Sequence, residues 1–108
     1  MTVYVGEAVT IVGAAFNPVA SVVISDAVAQ VEFYAPGKNP AKVPADRTAD
    51  HGPVPMLFVS TVINKDGTVG AYVGYADTTG WLPGKWSYRV TLTGSFDSWE
   101  YSNFTLVA

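Results

Sequence analysis

The chain has 108 residues and a mass of 11.5 kDa, enough for a single domain spanning residues 1–108. It has no cysteine, which excludes a disulfide scaffold, a thiol nucleophile, a thiolate zinc site and an iron–sulfur cluster. Hydrophobic residues make up 49% and charged residues 14%, far from the composition of disorder, and six basic residues against nine acidic ones argue against nucleic acid as a partner.

In chain order, Met1-Thr2-Val3-Tyr4-Val5 lacks the basic and apolar regions of a secretory signal, so synthesis and folding in a cytoplasm are expected. Val9 and Ile11 flank Thr10 with the alternation of a half-buried strand. Ala29-Gln30-Val31-Glu32-Phe33 repeats it, with Val31 and Phe33 inward, and Pro36-Gly37 closes that strand. Residues 35–55 show little alternation and hold five of the seven prolines, which predicts one long Pro-rich loop. That loop reads either as a crossover between sheets or as an arm reaching a neighbouring subunit.

Two β-rich runs follow, 57–63 and 68–75, with Leu57, Val59 and Tyr72 expected inward. Asn64-Lys65-Asp66-Gly67 between them reads as a tight hairpin. Pro83-Gly84 turns the chain into the clearest strand, where Trp86, Tyr88, Val90 and Leu92 point one way and Ser87, Arg89 and Thr91 the other. Thr93-Gly94-Ser95, with Asp97 and Ser98, forms the last hairpin before Phe104 and Leu106. The longest unbroken apolar run, 54–59, has six residues against the ~20 of a spanning helix, so no membrane segment is expected. About seven short strands with turn signals between them predict an antiparallel β-sandwich or small barrel, of which the sandwich fits better.

Candidate chemistry is sparse. The single histidine, His51, sits beside Asp50, but neighbours in an extended segment point apart, so a nucleophile–base–orienter set is not expected. The acidic residues fall in turns or at outward positions, which solvation explains without a catalytic carboxylate pair. Asp46–Asp50 and the 64–67 turn offer oxygen ligands, yet each contains a cation and reads as turn chemistry. No enzymatic activity, cofactor or metal is expected.

The aromatics divide. Trp86, Tyr88, Phe33 and Phe104 occupy inward positions and read as core. Trp81 follows the Thr78-Thr79-Gly80 turn, and Trp99 follows a hairpin tip with Glu100 and Tyr101 beside it. Half-exposed tryptophans at such places either close the ends of a sandwich or anchor an interface or a sugar. The candidate interface is therefore Pro40, Pro44, His51 and Pro53 of the loop together with Trp81, Trp99 and Tyr101.

Several stretches resemble one family nearly end to end. Val5-Gly6-Glu7-Ala8-Val9-Thr10-Ile11 resembles an opening G-[DE]-x-V-T-[LI]. Val31-Glu32-Phe33-Tyr34-Ala35-Pro36-Gly37 resembles a strand ending in P-[DG]-G, and Gly70-Ala71-Tyr72 a G-x-Y strand. The most specific is Pro83-Gly84-Lys85-Trp86-Ser87-Tyr88-Arg89-Val90, which resembles P-G-x-[WY]-x-Y-R-[VW]. Glu100 with Phe104-Thr105-Leu106 resembles a closing E-x-x-x-F-x-V. These are stretches of small Ig-like virion accessory proteins of tailed bacteriophages, common in those of actinobacteria. The family usually carries a short Pro-Asp-Gly-Thr hairpin where this chain has 35–55. The resemblance implies an Ig-like fold and a structural role in the virion, in many copies, on the head, the head–tail junction or the tail. The partners it implies are capsid or tail proteins and further copies of the chain on a symmetric assembly. A module that displays aromatic platforms to a host-surface polysaccharide is the second expectation.

Overall fold

A computed structural model describes residues 1–14, 16–17, 22–37, 48–65, 67–94 and 98–108. The described strands are β1 (Thr2–Tyr4), β2 (Ala8–Ala14), β3 (Phe16–Asn17), β4 (Val22–Val23), β5 (Val28–Tyr34), β6 (His51–Ile63), β7 (Val69–Asp77), β8 (Gly84–Thr93) and β9 (Ser98–Val107). No helix occurs among the described residues. Seven strands form one sheet in the order β1-β9-β8-β5-β6-β7-β2, while β3 pairs only with β4. The chain is all-β, as the alternation predicts.

The sheet curls until its edges nearly meet, and the connectivity requires it. β1 and β2 are the two outer strands, yet only residues 5–7 separate them. Laid flat, seven strands would hold those edges about 29 Å apart at the usual strand spacing. Three linking residues span about 15 Å at most. The edges must therefore approach, and Thr78 after β7 grips the link between them: its hydroxyl accepts the Gly6 amide at 3.1 Å. β1 lies parallel to β9, with Val3 opposite Leu106; the other pairings are antiparallel.

β6 bends the sheet. Its first half pairs with β5, from His51 opposite Phe33 to Met56 opposite Ala29. Its second half pairs with β7, from Leu57 opposite Val73 to Ile63 opposite Val69. A bulge separates Val31 and Phe33 in the β5–β6 register, and Gly52 sits at it with φ +99°. A Cβ there would stand 2.8 Å from the Val31 carbonyl oxygen, so only glycine fits.

The core gathers inward residues of every long strand: Val9, Ile11, Val31, Phe33, Met56, Tyr72, Trp86, Val90, Leu92, Phe104 and Leu106. Tyr88 packs partly buried against them. The Tyr72 hydroxyl donates to the Ile24 carbonyl at 2.8 Å and accepts the Ala27 amide at 3.0 Å, so its burial leaves no polar atom stranded. The 64–67 hairpin closes as expected, with the Gly67 amide on the Asn64 carbonyl and φ +86° at Gly67.

Three expectations are corrected. The loop expected over 35–55 ends earlier, because His51 to Pro55 already belong to β6. Prolines there obscured a strand that tolerates them beside a bulge. Leu57 and Val59, expected inward, both take the outer parity of β6, Leu57 at 73% exposure and Val59 half-buried, and Phe58 between them packs on the core with its ring 5.4 Å from Tyr72. Trp81, expected to be half-exposed, is buried at 8% exposure.

Candidate functional site

The expected interface residues do not assemble into one site. Pro40 and Pro44 lie outside the described residues. His51 opens β6 and is exposed, its imidazole stacked on the Trp81 indole at 4.1 Å with the planes 8° apart. Pro53 is exposed at the bulge two residues on. Trp99 stands opposite Thr91 in the β8–β9 register. Tyr101 stands opposite Arg89 and is 37% exposed. Among the described side chains of this set, His51 and Trp81 stack, and they do so as the lid of an aromatic stack.

That stack explains the Pro83-Gly84 stretch physically. The Trp81 ring packs 4.6 Å from Trp86 and edge-on at 5.3 Å to Phe33, which in turn meets Phe104 edge-on at 6.2 Å. Trp86 satisfies its indole N–H on the Leu82 carbonyl at 2.8 Å, so the intervening turn must double back. Gly84 makes this possible by approaching Pro36: a Cβ on it would meet the Pro36 ring at 2.8 Å. The two Pro-Gly turns thus form one joint at this end of the molecule. Asp50 serves the same end, its Oδ2 accepting the Ala35 amide at 2.8 Å.

Two outer faces remain. On the β5–β8–β9 face, Arg89 Nη2 reaches Glu32 Oε1 at 2.7 Å across the strands. Glu32 first, and the Tyr101 side chain with it, hold the guanidinium firmly in its charged form. The resulting patch joins an aromatic ring to a fixed ion pair.

The face of β2, β7 and β6 is different in kind. Val12, Val73 and Leu57 form one cross-strand row, flanked by Tyr75 opposite Thr10 and by Val69 opposite Ile63. Val12, Leu57, Ile63, Val69 and Tyr75 are all exposed, and no charged residue occurs between Asp50 and Lys65. Asp77 marks the end of the face; the Thr79 hydroxyl and amide hold its carboxylate below the ordinary aspartate range. This apolar face escaped the sequence reading because both parities of β7 are apolar. Gly70, Tyr72, Gly74 and Ala76 face in, while Val69, Ala71, Val73 and Tyr75 take the other parity, of which Val69 and Tyr75 are exposed and Ala71 and Val73 buried. A doubly apolar strand carries no alternation to orient it.

Among the described residues, no three of His, Asp and Glu stand together as metal ligands. The chain matches no protein-family model, no curated protein and no solved structure.

Proposed function

We propose that this chain is a non-enzymatic structural protein of a tailed-bacteriophage virion, an Ig-like β-sandwich seated in many copies on the particle as a capsid decoration protein. The observation that carries the reading is the joint between Pro36 and Gly84. There the two Pro-Gly stretches that resemble such accessory proteins meet and seat Trp86. Residues of the resembling stretches are used for scaffold, which leaves binding to the outer faces. The course of β6 supports an Ig-like arrangement, since it leaves β5 for β7 and so divides β1-β9-β8-β5 from β7-β2. An exposed apolar face supports adhesion to protein surfaces.

The test is cryo-electron microscopy and peptide mass spectrometry of purified particles with and without the protein. Regularly spaced difference density on the capsid is the expected result. Density confined to the tail or the head–tail junction would move the protein there, and absence from particles would overturn the reading.

Tyr101 beside the Arg89–Glu32 pair favours a second reading, a carbohydrate-binding adhesion module displayed on the virion. It requires binding to host cell-wall polysaccharide that Tyr101→Ala abolishes.

A further inference from the structure

β1 closes the rim of the sheet with little to hold it. It has three residues and pairs in parallel with the end of β9, Thr2 opposite Thr105, Val3 opposite Leu106 and Tyr4 opposite Val107. Parallel pairing is slightly weaker per residue than antiparallel. Two backbone bonds bracket the ladder: the Thr105 amide donates to the Met1 carbonyl at 3.0 Å, and the Val5 amide to the Val107 carbonyl at 2.8 Å. Val3 is the one buried side chain of β1, between exposed Thr2 and Tyr4, and Val5 just past it packs partly buried on the core.

The link that follows is gripped from a single residue. Thr78 accepts the Gly6 amide on its hydroxyl and donates that hydroxyl to the Glu7 carbonyl. Its own amide reaches the same carbonyl at 3.3 Å. Inside the turn, the Glu7 amide donates to the Tyr4 carbonyl at 2.9 Å, and the Tyr4 amide to Glu7 Oε1 at 3.0 Å. Gly6 sits at φ +96°, and a Cβ there would meet nothing within 4 Å. An uncrowded glycine can change its backbone angles freely, which makes it a hinge.

We propose that residues 1–5 form a strap that opens and closes as one unit, hinged at Gly6 and latched by Thr78, while the rest of the sheet stays folded. Segments held by few buried apolar side chains and by backbone bonds at a rim open at well below the free energy of global unfolding. β8 is the contrast: it is paired on both sides, with β5 and β9, and buries Trp86, Val90 and Leu92. Opening bares the β9 edge from Thr105 to Val107. While the strap is away, the closed rim becomes an edge that an extended strand can join.

Native-state hydrogen exchange of the whole chain, followed by NMR, is the test. The Val5 and Thr105 amides should share one protection factor, about tenfold or more below those of the β8 amides. Simple fraying from Met1 would instead leave Thr105, bonded to the Met1 carbonyl, less protected than Val5. Thr78→Val touches neither amide, yet should speed both by about tenfold through loss of the latch. Gly67→Ala lies beyond the other end of β7 and should speed exchange in β8 while leaving Val5 and Thr105 unchanged. Thr2→Cys/Thr105→Cys joins register partners about 4.8 Å apart, within disulfide reach, in a chain with no other thiol. Oxidation should raise Val5 protection to the β8 level, and reduction should undo it. Strap amides as protected as β8, unequal protection of Val5 and Thr105, or indifference to Thr78→Val or to the disulfide would overturn the proposal. So would a Val5 rate that follows Gly67→Ala, since the strap would then open only with the whole domain.

Discussion

Thr78, wholly buried, donates its hydroxyl to the Glu7 carbonyl at 2.6 Å and accepts the Gly6 amide at 3.1 Å. One side chain thus clasps the turn that joins the two outer strands of the sheet. Thr78→Val keeps the shape and removes both side-chain bonds to the link, those with the Gly6 amide and the Glu7 carbonyl. The expected cost is about 1–3 kcal/mol in denaturant melts, with Thr78→Ser close to wild type. A wild-type midpoint for the valine variant would show that the edges hold without the clasp.

Gly52 tests the bend in β6. Its positive φ and its approach to the Val31 carbonyl both oppose a side chain. Gly52→Ala should destabilise the domain by about 1–3 kcal/mol. Gly67→Ala, at a positive φ with open space around it, should cost less. Equal costs would mean that crowding at the bulge is unimportant.

Trp86 is 2% exposed and joins both neighbouring aromatics and the Leu82 carbonyl. Trp86→Ala should cost ~3–5 kcal/mol, as other large-to-small core changes do. In a domain of ordinary stability, ~5–15 kcal/mol, that places it near unfolding. A midpoint within error of wild type would refute the packing of this stack.

Asp77 gives a pH-dependent test. The Thr79 hydroxyl at 2.7 Å and the Thr79 amide at 2.9 Å both donate to its Oδ1, favouring the charged form and lowering its pKa. A carboxyl depressed on folding contributes stability above its unfolded value, and that contribution disappears as pH falls through the folded one. NMR titration should therefore find Asp77 below the ordinary aspartate range, and Thr79→Val should move it upward. No movement would assign the depression to the amide alone.

Local chemistry made much of the scaffold legible. Alternation in 86–92 and 29–33 found the core positions Trp86, Val90, Leu92, Val31 and Phe33, because in a strand with one wet face the side-chain period of two is itself the burial pattern. The Asn64–Gly67 and Pro83-Gly84 turns were equally readable, since their residues favour those backbone conformations wherever they occur. The candidate interface was not readable in the same way. Trp81 reads equally as a surface anchor or an end cover in sequence, and the folded-back turn decides for burial by setting it against Phe33 and Trp86 with His51 stacked over it. Leu57 passed for core because an apolar residue states a preference for burial and not a direction. Which face of 57–63 meets the core depends on the bend of β6 between its two partners. Those are pairings between distant segments, and no local pattern encodes them.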